Sequence, residues 1–183
     1  MTVISDPTTA QHPDTRIIRL SLAPGGSGPG PLDGAWWPYS RDLMLELPLL
    51  TAEFDSRWGR VTRAAVNPAH WPIIPRKILV PGRVVHVGWF SAEQDPHALL
   101  LLSGRVKRWD LLVIPPGTPA ATAARLMAAA SDPGSTLTAG ALMAQARTAV
   151  AAAGDSARVV DWEAGGGRGL AVPAAPPPGP GPA

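Results

Sequence analysis

Apolar and polar positions alternate with period two in several short stretches of this chain and recur every three or four residues in others. In Arg16–Leu22 the side chains of Ile18, Leu20 and Leu22 share one face, the pattern of a half-buried strand. Leu43, Leu47, Leu50 and Phe54 form the apolar stripe of a helix, with Ser40 placed to cap it and Pro48 placed to kink or divide it. Five further strands are predicted at Val61–Val66, Lys77–Val80, Val84–Phe90, Ala98–Leu102 and Lys107–Ile114. Val80-Pro81-Gly82-Arg83 has the Pro and Gly of a type II turn and joins the second and third of these as a hairpin. Ala98–Leu102 does not alternate, which predicts a central strand covered on both faces. Thr118 and Pro119 open a helix to about Ala130, Asp132-Pro133-Gly134 stops it, and Thr138 caps a last helix to about Ala153.

This order predicts an α+β fold, a mostly antiparallel sheet of five to six strands packed on one face by about three helices. Parallel pairing needs crossovers that most of these short connections cannot supply. Residues 1–15 are polar and read as a disordered arm, 16–153 as a single domain, and 154–183, rich in Pro, Gly and Ala, as a flexible tail.

Composition narrows the chemistry. Of 183 residues 45% are hydrophobic, enough for a core without staples, and none is cysteine, which removes disulfides, thiolate zinc sites, iron–sulfur clusters and cysteine nucleophiles. No apolar run reaches the ~20 residues of a membrane span, and the first residues lack a signal-peptide layout, so a cytoplasmic location is expected. The glycines at Gly25–Gly30 and Gly165–Gly167 lack the spacing of nucleotide-binding fingerprints, and there is no nucleophile elbow. No cofactor or metal site is predicted.

The net charge is only +2, but from Arg57 to Arg108 nine basic residues stand against two acids, with Trp58, Trp71, Trp89 and Trp109 in or beside them. Basic side chains with aromatic platforms are what single-stranded nucleic acid binding uses. Against that reading, these positions fall at predicted strand ends and turns, where solvated arginine is ordinary. His86, His97 and Asp110 are candidates for a small hydrolase or isomerase, on condition that two of them come within hydrogen-bond reach. Asp95 could orient His97, while Asp110, flanked by apolar residues, requires a partner, with Arg105 and Arg108 nearest in sequence.

The segment Leu32–Asp42 holds the preferred site: Asp33, Trp36, Trp37, Arg41 and Asp42. Adjacent tryptophans in extended chain face opposite ways, so at least one is expected at an edge, groove or interface, where flanking charges would make a ligand pocket. The alternative is that both indoles cover the sheet, Asp33 makes a turn and Asp42 favours a helix N-terminus.

Leu32-Asp33-Gly34-Ala35-Trp36-Trp37-Pro38, with Arg41-Asp42-Leu43, Val87-Gly88-Trp89-Phe90, Asp95-Pro96-His97 and Asp110–Pro116, resembles a family of small actinobacterial proteins defined only as a domain of unknown function. The likeness spans about Thr15 to Ala146 and implies an actinobacterial, intracellular source. It assigns no activity, so no residue inherits a role. The expected function is a non-enzymatic binding or accessory module for a protein or small-molecule ligand. A nucleic-acid-binding domain is the alternative, and no membrane partner is expected.

Overall fold

Seven strands form one mixed sheet in the computed structural model, which describes residues 16–24, 30–89, 95–104 and 107–165, with side chains up to residue 154. The expected arm at 1–15, His12, most of the Gly25–Gly30 cluster, Phe90, Arg105 and the tail beyond 165 lie outside the described residues. In chain order the elements are β1 (Leu20–Leu22), β2 (Gly34–Trp36), α1 (Leu43–Arg57), β3 (Val61–Val66), β4 (Lys77–Val80), β5 (Arg83–Trp89), β6 (Ala98–Ser103), β7 (Lys107–Val113), α2 (Ala120–Ala130) and α3 (Ala139–Gly165). The spatial order is β1-β2-β7-β6-β3-β5-β4.

Two expectations about topology are corrected. The sheet has seven strands because β2, only three residues long, is too short to show an alternation. Two pairs, β2 with β7 and β3 with β5, are parallel. Their crossovers are built from whole elements: the arm through β4 lies between β3 and β5, and α1 with four strands lies between β2 and β7.

Helices cover both faces, not one. On the first face α1 buries Leu43, Leu47, Leu50 and Phe54 against Val61, Ala64, Val85, Leu99, Leu101, Trp109 and Leu111. The helix runs unbroken through Pro48, since one missing donor near its start is outweighed by that buried stripe. Its N-cap is Asp42, whose carboxylate accepts from the Met44 amide at 2.9 Å, while Ser40 donates to Glu46 instead. At its other end Asp55 makes a two-pronged ion pair with Arg83, which fastens α1 to the β4–β5 hairpin. That hairpin turns at Gly82, whose φ of 75° is the left-handed region a type II turn needs.

On the second face α2 and the start of α3 bury Ala35, Leu112, Ile114, Ala123, Leu126 and Leu142. They cover the β1–β2–β7 end of the sheet and Ala98 at the start of β6, whose Leu100 and Leu102 are half-buried on this face. In β3, Val61 pairs with Ser103 and Arg63 with Leu102, leaving Thr62 as an extra residue. This bulge puts Val61, Ala64 and Val66 all toward α1, and Arg63 and Ala65 toward the opposite face. The chain divides into two compact units, Met1–Ala146 and Arg147–Ala183, and α3 continues past the expected Ala153 to Gly165.

Candidate functional site

The double-tryptophan segment is largely consumed by the fold. Asp33 is buried, its carboxylate accepts from the Asp110 amide at 2.8 Å, and its own amide donates to the Asp110 carbonyl. Trp36 is buried in the α1 face and stacks on Trp71 with ring centroids 5.6 Å apart. Trp37 points to the other face, as alternation requires, and is half-buried against the second core. Arg19 lies over its ring at 3.6 Å and over the Tyr39 ring at 3.9 Å, and donates to the carbonyls of Trp37 and Pro38. Of the five predicted site residues, Arg41 and Asp42 are exposed; Asp42 caps α1, and the charge of Arg41 acts on His70.

The candidate catalytic groups are not brought together. His86 is on β5 and Asp110 on β7, with β3 and β6 between them. Asp110 is held by Arg108 at 2.8 Å, which raises the Arg108 pKa, so the ion-pair reading of this carboxylate stands. The two oxygens of Asp95 accept from the backbone amides of His97 and Gly140, which anchors the start of α3. The His97 ring lies against that of His70, a residue no sequence motif singled out, with ring centroids 4.5 Å apart. Burial, then His97 and Arg41, push the His70 imidazole down to about 4, with Asp95 acting upward. Among the described residues no group of three or more His, Asp or Glu is placed to hold a metal.

A different feature emerges from strand register. Lys77 pairs with His86, His86 with Arg63, Arg63 with Leu102 and Leu102 with Arg108, so these five residues form one row across β4, β5, β3, β6 and β7. Cross-strand partners point to the same face, here the one opposite α1. The next row along the strands is Gly88, Ala65, Leu100 and Asp110. Among the described residues of the first unit, no helix lies over the β4–β5–β3 part of this face. Arg63, Arg76, Lys77, His86, Gly88, Trp89, Leu100 and Leu102 line a groove of about 750 Å³ there.

The basic cluster of the sequence therefore sorts into parts. Arg57 pairs with Glu53, Arg83 with Asp55 and Arg108 with Asp110, and Lys107 sits over the Trp109 ring. Arg63, Arg76 and Lys77 are exposed, and among the described residues none of them has a carboxylate partner. Arg76 lies 5.6 Å from the ring of Trp89, which is 42% exposed. Arg63 is not at a strand end, contrary to the reading from sequence: it lies within β3, and register is what sets it beside His86 and Lys77. The signal available in the chain was the alternation of Arg63, Lys77 and His86 with buried neighbours.

Comparison with known proteins adds one match. The model of a family of unknown function, DUF5994, matches residues 19–130, more than half of the chain. No curated protein matches, and no solved structure matches.

Proposed function

The chain belongs to this family of unknown function, so its role is read from its own surface, and we propose that it is a non-enzymatic binding module whose ligand surface is the open sheet face. The partner is a polyanion. The observation that carries this reading is the gathering of Arg63, Arg76 and Lys77 around one groove with no carboxylate beside them among the described residues. Like charges held together on a surface repel one another at low salt, and an anion that enters the groove relieves that repulsion. An actinobacterial, cytoplasmic source, suggested by the sequence motifs, belongs to the same proposal.

The test is binding of soluble heparin, used as a generic polyanion, across a salt series. The wild-type affinity is expected to fall linearly with log salt, and the triple variant R63E/R76E/K77E to lose affinity by at least tenfold at about 50 mM salt. The triple variant R57E/R60E/R125E makes the same change in net charge at residues outside the groove lining and is expected to lose much less. Equal losses in the two variants would show that net charge alone drives binding and would overturn the reading.

A second reading keeps a ligand at the Trp37–Arg41 corner. It is favoured by the exposed Arg41 standing near the buried His70. Arg41→Glu, measured against the groove variants in any ligand screen, separates the two.

A further inference from the structure

We propose that the polyanion is single-stranded nucleic acid, with bases lying on the floor made by Gly88, Ala65 and Leu100 and phosphates held by Arg63, Arg76 and Lys77. This rests on the reading of the open face as an anion-binding surface and adds its ligand class.

A polyanion such as an acidic peptide needs only the cations. The groove has a second component that charge does not explain. Gly88, Ala65 and Leu100 are direct neighbours across β5, β3 and β6. With strands ~4.8 Å apart, they make an apolar strip roughly 10 Å across. Two of the three side chains are the smallest available, so the strip is low, and a Cβ built on Gly88 would meet nothing within 4 Å. Flat rings fit such a floor.

The row that carries Lys77 and Arg63 on either side of His86 runs parallel to this strip, two residues away along each strand, which is roughly 7 Å. That offset sets charge beside the floor, as a nucleotide sets its phosphate beside its base. A duplex buries its base faces in its own stack and gains nothing from the floor, and a chain of acidic residues has no aromatic ring to lay there. The observations therefore favour the single strand.

The experiment measures anisotropy of a labelled oligothymidylate of about ten nucleotides, a duplex of equal length and polyglutamate, all with the full chain. Gly88→Val is the discriminating variant, because its side chain enters open space on an extended strand and fills the floor without touching the cations. The single strand is expected to bind more tightly than the duplex and polyglutamate. Gly88→Val should weaken it by about tenfold while leaving polyglutamate binding unchanged, with its own melting temperature not lowered. R63E/R76E/K77E should weaken all three ligands. If polyglutamate or duplex binds as well as the single strand, or Gly88→Val has no effect, this inference fails while the anion-binding reading stands. If no ligand, heparin included, responds to the triple variant, both fail.

Discussion

At the scale of single residues, the buried His70 makes a prediction of its own. Its imidazole is held near 4 against an ordinary 6.5, by burial first and then by the neighbouring His97 and Arg41. Between those two values the unfolded chain binds a proton that the folded chain does not, so stability rises with pH there and is lost as pH falls from 6.5 toward 4. At about 1.4 kcal/mol per unit, the loss assigned to this group is on the order of a few kcal/mol. Urea melts across this window should show His70→Asn losing visibly less stability than the wild type. Parallel curves for the two proteins would show that His70 does not carry the effect. Of the five residues that look like a pocket in the sequence, four serve the fold: the Asp33 and Asp42 carboxylates and the Trp36 and Trp37 rings all have partners within it.

At the scale of elements, the motif Leu32–Pro38 acts as a stitch across three strands. Asp33 joins β2 to β7 through both its backbone and its carboxylate, and Ala35 is fully buried in the second core, among residues of α2. Gly34 sits where β1 comes closest: a Cβ there would lie 2.1 Å from the Ser21 carbonyl oxygen and 2.9 Å from the Leu22 Cα, and its φ of 157° is one that other residues rarely adopt. Backbone cannot yield as a side-chain tip does. Gly34→Ala should therefore cost several kcal/mol, about 3 or more, by separating β1 from β2. A chemical melt of this variant with a midpoint unchanged from wild type would show that the strand pair tolerates a methyl group. The glycine is legible in the sequence as part of a motif, but its reason is not, because Ser21 approaches it from a different strand.

At the scale of the whole molecule, all the buried hydrophobic side chains of both cores lie at or before Ala146, within the first compact unit. We expect a chain ended after Gly154 to melt cooperatively within about 5 °C of the full-length protein, on the order of 1 kcal/mol for a unit of this size. A larger fall would show that the later residues support the fold. Among the described residues no helix is long and apolar enough to cross a membrane. The open part of the sheet exists at this scale alone. It results from α2 and the start of α3 covering one end of a seven-stranded sheet while α1 covers the opposite face.

Local pattern was enough to place most strands and all three helices, the hairpin at Pro81-Gly82, and the alternation that sends Trp36 and Trp37 to opposite faces. These features depend on neighbours within a few positions, and the chain states them directly. Strand order, the two parallel pairings, the choice of face for each helix and the Thr62 bulge depend on contacts between distant segments, which periodicity does not encode. The candidate groove belongs to this second kind. Arg63, Lys77 and His86 are well apart in the chain, and only the register of β3, β5 and β4 lines them up on one surface, while pairing with Asp55 and Asp110 withdraws Arg83 and Arg108 from it.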